Sequence, residues 1–183
     1  MDTATLELKM DNSVANADVF CFVCSGNTCR SPMAEAVFNA KYKTDKRYAI
    51  SRGLSYGGLP IAKNAAHALA DAGIESTSDN DYLGHISRAI TPDAAMSAKA
   101  IICMTTGIAM ELICIMPEFA SKIFSMPHDI SDPFGGDEAR YERCLNEITD
   151  GLDVLFGDGG KYSADNGKTD SGNGQDNGEN GHE

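Results

Sequence analysis

The sequence lacks several features that would place the protein in a membrane, outside the cell or on nucleic acid. None of its apolar runs approaches the roughly 18 residues that a membrane-spanning helix requires. Residues 1–17 have neither the basic head nor the apolar core of a secretion signal. Basic residues are few: 15 Lys and Arg stand against 27 Asp and Glu, so the formal net charge is -12. This charge opposes binding to nucleic acid or anionic lipid, and we expect a soluble cytoplasmic protein that binds neither.

One domain is expected between two polar ends. The 183 residues are 42% hydrophobic, which is enough for a single core. Residues 157–183 are dominated by Gly, Asn, Asp and Ser and predict a disordered acidic tail. Residues 1–17 predict a loose extension, in which LELKM is compatible with one short strand. The domain itself is predicted to span residues 18–156, and we expect it to be a monomer.

Short apolar runs alternate with longer helical patterns along this domain. Strands are predicted over 19–24, 47–51, 98–104 and 121–126, and helices over 32–44, 61–73, 91–97, 107–116 and 137–156. Such alternation predicts an α/β fold with a four-stranded parallel sheet and helices on both faces. In these folds a ligand binds where the carboxyl ends of strands meet the N-termini of helices.

The segment CSGNTCRSP, residues 24–32, lies at that position after the first predicted strand. Pro32 suits the first position of a helix, so the loop must turn sharply before it. Gly26 and Asn27 tolerate the backbone angles of such a turn. Backbone N–H groups of a curled loop before a helix form an anion site, for which phosphate is a natural ligand. Glu35 is expected in the first helical turn, where it complements the helix dipole.

Side chains of this loop predict covalent phosphoryl transfer without a metal or another cofactor. Cys24 is the candidate nucleophile, because a helix N-terminus and cationic neighbours favour a thiolate. Arg30 can hold two phosphoryl oxygens with its planar guanidinium group. Ser31 can donate a hydrogen bond to the Cys24 sulfur, and Asn27 is expected to bond across the loop. The other predicted phosphate-binding and loop-support residues are Ser25, Gly26, Thr28 and Cys29.

The loop resembles that of the low-molecular-weight protein tyrosine phosphatases, whose signature is Cys-x5-Arg-Ser directly after the first strand. VCSGNTCRSPMAEAVF is also similar to their bacterial protein-arginine phosphatase branch, which carries Thr at the position of Thr28. Tyrosine phosphatases usually have a bulky aliphatic residue there. The resemblance continues through residues 51–74, 84–91, 100–106 and 132–136. It implies a phosphatase that acts on phosphorylated proteins through a phosphocysteine intermediate.

An acid must protonate the leaving atom during this reaction. Asp132 follows the fourth predicted strand, at the sheet edge that also holds Cys24, and Pro133 stiffens the turn after it. The resemblance assigns the acid role to the Asp of this Asp-Pro pair. Asp129 is the competing carboxylate, with a capping or turn role as its alternative, and His128 is expected to be a solvated loop residue.

Thr28 and Phe134 bear on which phosphorylated residue enters the site. The Thr28 hydroxyl can contact a guanidinium group, whereas an aliphatic side chain would pack better against a phenyl ring. An alternative is that Thr28 only satisfies a loop amide. Phe134 can stack on a delocalised cation, for which Asp132 offers a charge partner. We therefore favour phosphoarginine over phosphotyrosine as substrate.

The six cysteines are expected to be reduced. Cys29 could form a reversible disulfide that protects Cys24, with simple packing as the alternative. Cys21 and Cys24 have zinc-ligand spacing, but strand alternation turns them to opposite faces, so Cys21 is assigned to the core. The apolar surroundings of the other three predict core positions as well: Cys103, Cys114 and Cys144.

Two further functions are compatible with the loop. Arsenate reductases of this fold resemble it, but they pass electrons through further cysteines. Cys103 and Cys114 are the candidates for such a relay, and their predicted strand and helix positions disfavour a mobile pair. A non-catalytic oxyanion-binding or redox-sensing module would use the same loop and would bind phosphate without turnover.

Overall fold

Residues 17–55 and 57–163 are described by the computed structural model. Their four strands form one parallel sheet in the order β2-β1-β3-β4. The strands are β1 Asp18–Cys24, β2 Arg47–Gly53, β3 Ala98–Cys103 and β4 Ile123–Ser125. The helices are α1 Arg30–Lys41, α2 Lys63–Asp71, α3 Pro92–Ser97, α4 Thr106–Ile115 and α5 Glu138–Phe156, with a 3-10 helix at Pro117–Lys122. The predicted α/β class and four-stranded parallel sheet are confirmed.

The register of the strands gathers the loops of interest at one edge of the sheet. Cys24, the last residue of β1, lies opposite Gly53, the last residue of β2. On the other side of β1, Val23 lies opposite Cys103 at the end of β3. Strand β1 is central and buried from Val19 to Cys24, as expected for an apolar strand covered on both faces. Its carboxyl end therefore delivers the loop at residues 25–29 to a rigid edge.

Helix α1 differs from its prediction at its start. It begins at Arg30, so Pro32 is its third residue, where a backbone N–H would have no partner within the helix. Glu35 lies beyond the first turn, and the predicted interaction with the helix dipole is wrong. Its carboxylate instead accepts a hydrogen bond from Ser51 of β2.

Two other local predictions are corrected. Strand β4 is shorter than predicted, because residues 121 and 122 belong to the 3-10 helix that begins at Pro117. Cys114 is exposed rather than in the core. Helix α4 has apolar residues on its exposed side as well, among them Met110 and Ile115, and the side with Ile108 and Leu112 is the buried one.

Aromatic side chains close the core at the opposite edge of the sheet. The Phe156 ring lies 4.8 Å from the rings of Phe20 and Phe38. Tyr162 lies 5.2 Å from Phe20, and its carbonyl accepts a hydrogen bond from Arg47. The chain therefore packs against the domain beyond residue 156, the predicted domain end.

LELKM and residues 164–183 lie outside the described residues. Within the described part of the chain, none of the helices is long and apolar enough to cross a membrane.

Candidate active site

The loop after β1 turns at Asn27, which adopts the left-handed backbone conformation with φ 53°. Gly26, which the sequence also offered for this role, does not have a positive φ. The Asn27 side chain is fully buried, and its Oδ1 accepts a hydrogen bond from the backbone N–H of Arg88 at 2.8 Å. A backbone N–H can bond only to the oxygen of the amide, so this contact fixes the orientation of the side chain.

The fixed amide directs the hydrogen bonds of the two hydroxyls beside it. Asn27 Nδ2 donates to Ser31 Oγ and to Ser51 Oγ, each at 2.9 Å. Since Ser31 Oγ accepts this bond, its own proton points to Cys24 Sγ at 3.0 Å or to the Arg52 carbonyl at 3.2 Å. Cys24 Sγ also accepts a hydrogen bond from the Asn27 backbone N–H at 3.2 Å. The Asn27 N–H, together with the Ser31 hydroxyl when its proton points to the sulfur, can stabilise negative charge on Cys24 Sγ.

A second layer of polar groups supports the loop from behind. Ser51 Oγ donates to Glu35 Oε2 at 2.5 Å. Burial raises the pKa of Glu35, and the hydrogen bond from Ser51 partly opposes that shift. The ring Nε2 of His85 lies 2.9 Å from the Asn27 carbonyl oxygen. The curvature of the loop is thus held by residues from β2 and from the segment 85–88.

Gly53 lets β2 approach this loop closely. A Cβ atom at position 53 would lie 2.9 Å from the Ser25 carbonyl oxygen and 3.1 Å from Asn27 Cβ. The first contact is tighter than real Cβ atoms show, and the neighbouring atoms are backbone and a buried side chain. A side chain at this position must therefore push the loop away from the sheet.

We expect Gly53→Ala to lower kcat/KM on p-nitrophenyl phosphate by about tenfold or more, because small displacements of reacting groups are costly. Gly107→Ala is the matched control, since its Cβ would meet only Thr105 Oγ1 at 3.8 Å, at the start of α4. Steady-state kinetics of both variants checks the expectation. Equal activity of Gly53→Ala and the unmodified protein would show that the close approach is unimportant.

Arg30 is buried at 5% exposure although it is charged. Its Nη2 donates to Asp132 Oδ2 at 2.6 Å, and its Nη1 donates to the Ile130 carbonyl at 3.3 Å. The remaining guanidinium nitrogen, Nε, is buried and has no hydrogen-bond partner among the described residues. A buried guanidinium N–H without a partner is costly, and an anion in the loop could accept its bond.

Asp132 lies at the mouth of the loop with its side chain half exposed. Besides Arg30, its carboxylate accepts a hydrogen bond from the Phe134 backbone N–H at 3.1 Å. Asp129 accepts hydrogen bonds from the backbone N–H and the hydroxyl of Thr106, at 2.7 and 3.0 Å, in the first turn of α4. This is the capping role that was the alternative for Asp129. His128 is exposed.

Cys24, Arg30 and Asp132 border a cavity of about 230 Å³. It is lined by Cys24, Gly26, Thr28, Cys29, Arg30, Leu59, Asp132 and Phe134. Leu59 was not identified from the sequence. Its backbone is anchored by two hydrogen bonds with Ser87, at 3.0 and 2.8 Å, which keep the loop after β2 beside the cavity. The sequence signal that could have pointed to this loop is the end of the second predicted strand, 47–51, because the carboxyl ends of parallel strands meet at one edge of the sheet.

The other thiols differ from Cys24 in their surroundings. Burial raises the pKa of Cys21, Cys103 and Cys144 to about 12, so these thiols stay protonated at neutral pH. Burial also raises the pKa of Cys29, whose Sγ lies 3.3 Å from the Tyr141 hydroxyl. Protonated thiols are poor nucleophiles. Cys24 and Cys29 both line the cavity, and of these two thiols Cys24 is the one whose Sγ accepts a hydrogen bond from a backbone N–H, that of Asn27.

Comparison with known proteins places these features in context. Residues 19–164 match the model of the family described as low molecular weight phosphotyrosine protein phosphatase. A protein-arginine-phosphatase of Bacillus subtilis is 29% identical over 73% of this chain and 91% of its own. A low molecular weight protein-tyrosine-phosphatase of Staphylococcus epidermidis, PtpB, is 32% identical over 73% of this chain and 94% of its own. The structure is similar to the YwlE arginine phosphatase from Geobacillus stearothermophilus, with a TM-score of 0.67, 29% identity, and coverage of 74% and 88%.

Proposed function

Since the chain belongs to the low molecular weight phosphotyrosine protein phosphatase family and is a cysteine-based phosphoprotein phosphatase, we propose that it hydrolyses phosphoarginine in proteins. The observation that carries this choice is that Thr28 and Asp132 both line the cavity that holds Cys24. A hydroxyl and a carboxylate suit a guanidinium group better than a phenyl ring. The arginine phosphatases among the relatives support the same choice.

In the proposed first step, the Cys24 thiolate attacks phosphorus and forms an S–P bond. The P–N bond breaks, and the protonated carboxyl group of Asp132 gives its proton to the leaving guanidine nitrogen. Arg30 binds the phosphoryl oxygens through its unpartnered Nε and its Nη2, together with the amides of the loop. The product of this step is a phosphocysteine and a free arginine side chain.

In the second step, water attacks the phosphorus of phosphocysteine while the Asp132 carboxylate accepts a proton from it. The S–P bond breaks, inorganic phosphate leaves and the thiolate is restored. Ser31 and the Asn27 backbone N–H stabilise the departing sulfur, from 3.0 and 3.2 Å in the structure. Ser25, Gly26 and Cys29 complete the phosphate-binding loop. No metal or other cofactor enters this scheme.

Side chains around the cavity define what else the substrate meets. Leu59 and Phe134 are large apolar residues with 62% and 74% exposure, and both line the cavity. They form the apolar walls, along which the methylene groups and the planar guanidinium of an arginine can pack. We expect the protein to act on phosphorylated proteins as a cytoplasmic monomer.

The substrate proposal is tested by comparing kcat/KM on a phosphoarginine peptide and on the same peptide with phosphotyrosine. We expect the phosphoarginine peptide to be preferred by about tenfold or more. Thr28→Ile should lower this preference by about tenfold, because it replaces a hydroxyl with an aliphatic group. Thr28→Ser keeps the hydroxyl and should retain the preference.

The results also separate the alternatives. A preference of the unmodified protein for phosphotyrosine would identify a tyrosine phosphatase. An unchanged preference in Thr28→Ile would show that the hydroxyl is not the determinant. A relay of the arsenate reductase type is disfavoured by the positions of its two candidates, since Cys103 is buried in β3 and Cys114 is exposed on α4.

A non-catalytic binding module would show no burst of p-nitrophenol when mixed with p-nitrophenyl phosphate. The proposed enzyme should release about one equivalent in the burst, because phosphocysteine forms before it is hydrolysed.

The disulfide between Cys24 and Cys29 stays a prediction. If it forms, the hydrogen bond of Cys29 with Tyr141 at 3.3 Å is the contact it would disturb.

A further inference from the structure

Arg140 reaches back from the first turn of α5 to the loop that carries Asp132. Its Nη2 donates a hydrogen bond to the Asp132 carbonyl oxygen at 2.8 Å. The Arg140 side chain does not line the cavity that holds Cys24. The hydrogen bond nevertheless connects it to the backbone of the proposed acid.

The residues between Asp132 and Arg140 are arranged around this arginine. A Cβ atom at Gly136 would collide with Arg140 Cδ, so the absence of a side chain there leaves room for the arginine stem. Asp137 caps α5 by accepting a hydrogen bond from the Arg140 backbone N–H at 3.0 Å, which fixes the start of the helix. Asn64 of α2 holds the same loop from the other side, through a bond to the Gly136 carbonyl at 3.2 Å.

The Asp132 residue is therefore held at both ends. Arg30 and the Phe134 N–H bind its carboxylate, and Arg140 binds its carbonyl. The contact with Arg30 uses the guanidinium that is proposed to bind the phosphoryl group, so substrate competes for that contact. The contact with Arg140 does not involve the phosphate-binding residues, so substrate does not compete for it.

We propose that Arg140 is a positioning residue for the proton transfers of Asp132, by holding the backbone of the loop 132–136 against α5. This rests on the proposed function, in which Asp132 is the acid. Arg143 is the natural comparison, because it lies on the exposed side of the same helix without a hydrogen bond to loop 132–136 in the described structure.

The test compares the burst rate constants of Arg140→Gln, Arg143→Gln and Asp132→Asn on aryl phosphates with leaving groups of increasing basicity. Proton donation matters most when the leaving group is most basic. We expect Arg140→Gln to lower the burst rate constant by about tenfold on phenyl phosphate and by less than about twofold on 2,4-dinitrophenyl phosphate. Asp132→Asn should show a steeper version of this dependence, and Arg143→Gln should match the unmodified protein.

The double variant Arg140→Gln with Asp132→Asn provides the decisive comparison. If Arg140 acts through Asp132, adding Arg140→Gln to Asp132→Asn causes no further loss. A further loss in the double variant, or an equal loss on all leaving groups in Arg140→Gln, overturns the proposal. The same holds if Arg143→Gln has the same effect as Arg140→Gln.

Failure of this proposal can be told apart from failure of the proposed function. If the rate loss in Arg140→Gln does not depend on leaving-group basicity while that in Asp132→Asn does, Arg140 has no part in the mechanism and Asp132 is still the acid. A flat dependence for both variants shows that Asp132 is not the acid, and the role of Arg140 falls with it. Thermal unfolding of Arg140→Gln and Arg143→Gln accompanies the kinetics, and we expect both midpoints within about 2 °C of the unmodified protein because these side chains are exposed.

Discussion

Cys24→Ser should reduce kcat on p-nitrophenyl phosphate by about 10⁴-fold or more, because a neutral hydroxyl is a far weaker nucleophile than a thiolate. The surrounding contacts suit the change sterically, since Ser31 Oγ and the Asn27 N–H can bond to oxygen as they do to sulfur. Inorganic phosphate should therefore still bind. Stopped-flow kinetics measures the loss, and calorimetric titration with phosphate measures the retained binding.

Cys114→Ser is the matched control for this substitution. It makes the same atomic change at an exposed thiol on α4, outside the cavity lining, and should leave kcat unchanged. Normal turnover by Cys24→Ser would contradict covalent catalysis by this residue. Loss of phosphate binding together with turnover would instead indicate that the sulfur holds the loop in shape.

Arg30→Lys should lower kcat/KM by about 10³-fold although it preserves the positive charge. An ammonium group cannot reproduce the planar fork of Arg30, whose Nη2 reaches Asp132 while its buried Nε has no hydrogen-bond partner among the described residues. The inhibition constant of inorganic phosphate should rise along with the loss of turnover. Steady-state kinetics with phosphate as competitive inhibitor measures both quantities.

Arg47→Lys provides a control for the loss of a guanidinium that makes hydrogen bonds elsewhere. Arg47 donates to the carbonyls of Tyr42 and Tyr162, at the edge of the sheet away from the cavity. Arg47→Lys should lower the thermal unfolding midpoint, because these hydrogen bonds are weakened, and should leave the phosphate inhibition constant unchanged. If Arg30→Lys retained both turnover and phosphate affinity, charge alone rather than the fork would account for oxyanion binding.

The centre of the sheet could be predicted from the sequence because β1 and β3 are apolar runs that are buried along almost their whole length. The loop could be identified because its residues are adjacent in sequence. Leu59 and Arg140 could not, since their places depend on where a long loop returns and on which way an exposed side chain points. The position predicted for Cys114 was wrong for a related reason: α4 has apolar residues on its exposed side as well as its buried side, so their spacing does not show which side faces the sheet.

The way in which Asn27 is held has a consequence for how activity emerges during folding. Its four outside contacts come from residues that are 4, 24, 58 and 61 positions away along the chain. A peptide with the signature alone contains the reactive sulfur but lacks the hydrogen bonds that Asn27 makes with Ser51, His85 and Arg88. A nascent chain that stops before residue 85 still lacks the bonds with His85 and Arg88. Recovery of turnover after denaturant dilution should therefore trail the return of helical circular dichroism, because distant segments must dock first.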